Sequence, residues 1–169
     1  MQARLFVALA AVHGARPGHI RALQLEDVDL GNRRITIAGR DRPLDDLTYR
    51  CIGDWLAHRR DRWPKTANQH LVISFHTALG FGRVSAIYLA PALRGLPATL
   101  ERLRIDRQLE EALAAGGDPL QVAEVFGLSE DAAVRYATNA LALLSTPGRG
   151  KDRAFEHALM NQRCRSFRP

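Results

Sequence analysis

The sequence predicts a mainly α-helical fold with a small β-hairpin or three-stranded sheet, an α+β arrangement. Three observations predict it. Helix starts and stops are punctuated by Pro, Asp, Ser and Gly at the positions where each is favoured. One stretch, "RRITIAG" (Arg33 to Gly39), shows clear β-branched alternation. A chain of 169 residues with 46% apolar content is long enough to bury one sizeable core.

Along the chain, the first helix is expected from about Ala3 to His13, with Leu5, Leu9 and Val12 at core spacing, stopping at Gly14. The same run is too short to cross a bilayer, and cleaving it as a leader would remove a helix with a core face. Pro17 starts a second helix in "RPGHIRALQL". Arg33 to Gly39 forms a strand, and "DRPLD" begins its return. "DDLTYRCIGDWLAHRRDRWP" is a long helix capped by Asp45 or Asp46 and ended by Pro64, with Leu47, Cys51, Ile52, Trp55 and Leu56 facing the core. Its "HRRDR" end is a solvated cationic terminus that suits the helix dipole.

"HLVIS" (His70 to Ser74) is expected to add a short strand, with His70 and His76 as structural histidines. "LGFGR" lacks the strand and the Lys-Ser/Thr helix start of a phosphate loop and is read as a turn. A helix around Val84 to Leu93 ends at "RGLP". "TLERLRIDRQLEEALAAGG" is helical and closed by Gly116 and Gly117. Asp118 and Pro119 cap and open "PLQVAEVF", Gly127 closes it, and Ser129 caps the last helix. There Ala133, Ala137, Ala140, Leu141 and Leu144 form the apolar stripe, with Tyr136 at its margin. Residues 1–145 are therefore one domain. Residues 146–169, polar, basic and Gly/Pro-containing, are expected to be a mobile tail with a short helix at "AFEHALM".

The net charge of +6 is unevenly spread. Residues 146–169 carry six Lys/Arg against Asp152 and Glu156, leaving 18 basic and 16 acidic residues in the body. Bulk charge therefore does not make the body a nucleic-acid binder; local placement has to. Of the 24 basic residues all but Lys65 and Lys151 are arginine, a residue suited to gripping phosphate with two donors at once. Cys51 and Cys164 lie 113 residues apart without a CxxC, giving neither a zinc pattern nor a disulfide framework, and a cytoplasmic protein is expected.

Chemistry concentrates in "GARPGHIRALQLEDVDL". Pro17 biases Arg16 toward extended angles at the mouth of a helix, where unpaired N–H groups welcome an anion. His19, one turn on, is within reach of the same anion. The stretch from Gly14 to Arg40 resembles the first signature box of the tyrosine recombinases (phage integrase family), in which G-x-R opens a helix leading through L-x-L-x-D-V-D-L into a β-hairpin. The resemblance implies a tyrosine-recombinase-like catalytic domain and makes Arg16 the first catalytic arginine. The family's hairpin lysine falls at Arg40, 24 positions on. An arginine there supplies charge but is a poor proton donor.

"AGGDPLQVAEVFGLSEDAAVRYA" resembles the family's second box, with Tyr136 at or one residue short of the nucleophile position. By that resemblance the Tyr136 phenol attacks a DNA phosphate, leaving a 3′-phosphotyrosyl bond and a free 5′-hydroxyl. The resemblance also implies that the partner is double-stranded DNA and that the protein self-associates on it. It implies no metal, small-molecule cofactor or membrane. The departures are specific. The family's H-x-x-R box should precede Gly116, but "TLERLRIDRQLEEA" has no histidine: Arg102 stands at that position and Ile105 at the arginine's, leaving Arg104 or Arg107 as the second clamp. Leu128 stands where the family has the G-H histidine. Arg107 and Arg135 complete the candidate DNA-binding set of Arg16, Arg40 and Arg104.

Two other readings compete. "PLQVAEVF-GLS-EDAAVRYATNAL" has the layout of a helix-turn-helix, although Glu130 and Asp131 would then enter the phosphate-lined groove first. A non-catalytic helical remnant is the other, favoured by the near-neutral body.

Overall fold

A computed structural model describes residues 2–95 and 98–145, which fall into two compact units divided between Arg107 and Gln108. The first contains α1 (Gln2–Ala11), α2 (Pro17–Ala22), a sheet of β1 (Val28–Asp29), β2 (Arg34–Ile37) and β3 (Arg40–Pro43), α3 (Asp46–Arg62), a 3-10 turn (Ala86–Tyr88), α4 (Leu89–Ala92) and the beginning of α5 (Leu100–Ala114). The second contains the rest of α5, with α6 (Pro119–Phe126) and α7 (Glu130–Ser145). The expected class, mainly helical with a three-stranded antiparallel sheet, is what the chain adopts.

In the first unit α1 packs on α3, and Leu5, Phe6, Leu9, Ile52 and Trp55 are fully buried together with Ile20, Ile35 and Leu71. Burying each such side chain stabilises the fold by about 1.5–3 kcal/mol. The sheet is ordered β1-β2-β3. Its hairpin turns on Ala38 and Gly39, both at positive φ (53° and 76°), the two-residue geometry that matches strand twist. Pairing of Ile37 with Arg40 and of Ile35 with Arg42 fixes the register.

Asp45, rather than Asp46, caps α3 by accepting from Leu47 N (2.9 Å) and Thr48 N (3.0 Å). Leu47 does not face the core; it is exposed, and Thr48 takes the inward place. The buried set Thr48, Ile52, Trp55 and Arg59 follows helical spacing from there. Trp55 Nε1 donates to Leu71 O (2.8 Å), and the buried Arg59 guanidinium donates to the carbonyls of Asn68 and His70.

Those carbonyls explain why His70 to Ser74 is not the expected strand. A single antiparallel bridge joins Gln24 and His70, and Leu71 to Ser74 are all buried instead of alternating. Beyond the backbone bonds of that bridge, Leu71 N to Leu23 O and Leu25 N to Gln69 O (both 2.8 Å), side chains satisfy the polar groups of this segment that a longer ladder would otherwise pair. Asn68 donates to Thr77 O and Gly82 O and accepts from His70 N. The helix expected from Val84 to Leu93 is shorter, the 3-10 turn and the single turn of α4, with Pro91 inside it.

In the second unit Gly116 and Gly117 close α5 at φ 64° and 84°, Gly117 N reaching Ala112 O (2.8 Å). Asp118 caps α6 by accepting from Leu120 N (2.9 Å), and Gly127 ends it in the left-handed region. The α6–α7 pair buries Val122, Ala133, Ala137 and Ala140. Leu141 and Leu144 are more than half exposed, which narrows the expected stripe to its alanines. Leu141 lies over the bare backbone of Gly117, with its outer side in solvent. The tail expected over residues 146–169 lies outside the described residues.

Candidate phosphate-binding site

Arg16 occupies the position before Pro17 with extended angles (φ −72°, ψ 149°), and its side chain is exposed. The helix it precedes has only six residues, so side-chain charges rather than a helix dipole must attract an anion here. One turn on, His19 is half-buried. Burial lowers its pKa, and the guanidinium groups of Arg16, Arg104 and Arg42 lower it further. Arginines from before α2, from β3 and from α5 therefore act electrostatically on one imidazole.

Arg104 is buried. Its Nε donates to Glu101 Oε2 (3.1 Å) and its Nη2 to Glu101 Oε1, so one carboxylate holds the fork in place. The Arg104 hydrogen bond holds the Glu101 carboxyl below its usual range, although partial burial opposes this, and Arg16 acts in the same direction as Arg104. Arg16 and Arg104 thus both act electrostatically on His19 and Glu101, while Arg104 alone is paired with the carboxylate.

Arg40 and Arg42 are two residues apart on β3 and lie on one face. Their cross-strand partners, Ile37 and Ile35, are buried, so this is the core-side face. Arg42 is half-buried and donates to His13 O. Burial lowers its pKa, with Arg40 and Arg107 adding to the effect. Arg107 Nε donates to Val12 O (3.2 Å). The carbonyls just beyond α1 therefore hold two arginines in this cluster, as helix-end carbonyls do for cations. His13 is buried, with Nε2 3.2 Å from Thr48 Oγ1 and 3.3 Å from Asp45 Oδ2. Burial holds its pKa below the ordinary value despite Asp45.

The candidate residues separate by unit. Arg16, Arg40, Arg104 and Arg107 belong to the first unit and are linked through His19 and Arg42. Of the two arginines left open as second clamp, Arg104 acts on His19 with Arg16, whereas Arg107 is engaged beside α1. Arg102, at the family's histidine position, is exposed and pairs with Asp106 (3.0 Å). Arg135 and Tyr136 belong to the second unit. Arg135 is exposed; Tyr136 is half-buried against a cluster of Ala112, Val122 and Ala140.

Arg42 is the residue that sequence reasoning missed. Its signal was the two-residue alternation from Arg40 through "RDR", which puts two guanidinium groups on one strand face. Among the described residues, no group of three His, Cys, Asp or Glu side chains is placed to hold a metal ion, and no helix is long and apolar enough to cross a membrane.

No protein-family model and no curated protein matches the chain. Among solved structures, the chain is similar to the crystal structure of XerA recombinase, with a TM-score of 0.62 and 22% sequence identity over 88% of its residues. It spans 63% of the length of that structure. The likeness is one of fold.

Proposed function

We propose that the chain is a DNA-binding, site-specific recombinase- or integrase-like domain that cleaves and rejoins double-stranded DNA through a 3′-phosphotyrosyl intermediate. The setting is integration or excision of a mobile element, with self-association on DNA. The observation that supports this reading is that Arg16 and Arg104, 88 positions apart in sequence, both act electrostatically on His19 and on Glu101, with Arg104 paired to Glu101. The recombinase-like fold supports it.

In this reading Arg16 and Arg104 grip the non-bridging oxygens of a scissile phosphate, and Arg40 adds charge from the hairpin. The Tyr136 oxygen attacks phosphorus and gives up its proton. The bond from phosphorus to the 5′-oxygen breaks, and that oxygen takes a proton to become a hydroxyl. The phosphotyrosyl bond conserves the diester energy, so an incoming 5′-hydroxyl can reverse the step and free the phenol.

A second reading, a catalytically inactive DNA-binding remnant, is favoured by one observation: Arg102 and Leu128 stand at the two family histidine positions. In its helix-turn-helix form α7 would enter a groove with the exposed acids Glu130 and Asp131 leading, which phosphate repulsion opposes.

One experiment separates these readings. The full chain is incubated with a nicked suicide duplex and analysed under denaturing conditions. A covalent adduct that forms with the native protein and is lost in Tyr136→Phe is expected. Salt-sensitive binding without an adduct on nicked or supercoiled DNA would leave the inactive reading, and no binding at any salt would leave a remnant without a DNA role.

A further inference from the structure

His13 is a buried polar side chain to which the proposed chemistry gives no task, yet its contacts reach three elements. Gly14, at φ 62°, ends α1 with its N–H on Ala10 O (3.1 Å), and Ala15 N donates to Leu9 O (3.0 Å). The carbonyls of Val12 and His13 are taken instead by side chains. Arg107 Nε from α5 donates to Val12 O (3.2 Å), and Arg42 Nη1 from β3 donates to His13 O. The His13 ring reaches a third element, placing Nε2 3.2 Å from Thr48 Oγ1 and 3.3 Å from Asp45 Oδ2 at the start of α3. We propose that His13 is a positioning residue of the phosphate site: its ring pins the end of α1 to α3, and the two carbonyls so fixed hold Arg42 and Arg107 in place for the DNA backbone. The inference rests on the DNA-phosphate reading of the site.

The topology makes this turn a junction of the cationic residues. Arg107 lies three residues beyond Arg104 on α5, a spacing that shares a helix face. Arg42 lies two residues beyond Arg40 on β3, a spacing that shares a strand face. Arg16 follows His13 by three residues. The Val12–His13 turn therefore touches α5 and β3 at once and leads directly to Arg16. A guanidinium grips phosphate through N–H groups in a fixed plane, so displacing its anchor by about 1 Å spoils the fit.

Histidine suits the task for a local reason. A leucine would fill much the same space, but an imidazole N–H at Nε2 can be shared between the Thr48 hydroxyl and the Asp45 carboxylate. Asp45 is itself fixed, because its other oxygen caps α3 by accepting from Leu47 N and Thr48 N. The ring is thus tied to a rigid helix start rather than to a mobile side chain.

The test compares the native full chain with His13→Leu, which fills the space without an N–H, and His13→Gln, whose amide N–H can stand near the place of Nε2. Urea midpoints first define conditions in which all three are folded. Duplex binding is then measured across salt, because the slope of log affinity against log salt counts phosphate contacts. The expected result is a slope lower by about one to two in His13→Leu and restored in His13→Gln. An unchanged slope in folded His13→Leu, or a loss that His13→Gln does not restore, would overturn the inference and leave the DNA-phosphate reading standing. If His13→Leu fails to fold, Thr48→Val decides instead, since it removes the hydroxyl partner at nearly constant volume: a lower slope supports the tether and an unchanged one overturns it. No duplex binding by the native chain at any salt would overturn both.

Discussion

Arg16 and Arg104 carry the same charge toward the same histidine, but their substitution has different expected consequences. Arg16 is exposed and sits in extended backbone, so Arg16→Ala should leave stability within about 0.5 kcal/mol of the parent. On the proposed function, its DNA affinity should fall, and the slope of log affinity against log salt should decrease by about one. Arg104 is buried and held by Glu101, so Arg104→Ala removes a charge-assisted pair as well as the proposed phosphate contact. A stability loss of about 1–3 kcal/mol is expected with the loss of binding. Urea midpoints and filter binding across salt measure both. Equal stability loss in the two variants would mean that Arg16 is structural.

At the scale of elements, two local devices set the geometry. Asp45 caps α3 and also faces His13, which joins the start of that helix to the end of α1. Asp45→Ala should cost about 1–2 kcal/mol from the lost cap, seen as a lower urea midpoint, and should raise the mobility of Arg42 through His13. In the second unit, Gly117 has φ 84° and no room for a side chain: a Cβ there would lie 2.6 Å from Leu141 Cγ. Gly117→Ala should therefore destabilise by about 2–3 kcal/mol, combining left-handed strain with overpacking. Adding Leu141→Ala relieves the clash but not the φ penalty. The double variant should recover only part of the loss, and full recovery would show that the strain is unimportant.

For the whole molecule, the shifted groups set a pH window of stability. His13 and His19 have folded-state pKa values below 6.5, so below that pH the unfolded chain takes protons that the native chain resists. Stability is complete above 6.5 and falls as pH drops through it. Asp45 and Glu101, held below 3.8 and 4.5, remove more stability once pH passes below those values. At the alkaline end, burial raises Cys51 above 9.0 and Tyr88 above 10.0, so the unfolded chain releases those protons first and stability declines again. Urea midpoints should be flat from about pH 6.5 to 9 and fall on either side. A midpoint that holds down to pH 5 would contradict the burial of the two histidines.

Local chemistry was legible in the residues themselves. Asp45, Pro17, Gly116, Gly117, Asp118 and Gly127 each act on backbone geometry within one turn, so helix ends and the hairpin could be read directly. His70 to Ser74 could not, because its apolar run is compatible with a strand and only distant groups, Arg59 and Asn68, decide that it is a docked loop. The site divides in the same way. Arg16 was marked by its proline, and Arg40 and Tyr136 by resemblance, since position along the chain is all that a motif records. That Arg104, together with Arg16, acts on His19 and Glu101, and that Arg40 and Arg107 act on Arg42, came only from tertiary structure. Charges from a strand and two helices act on one another through space, and their separation in sequence carries no trace of that distance.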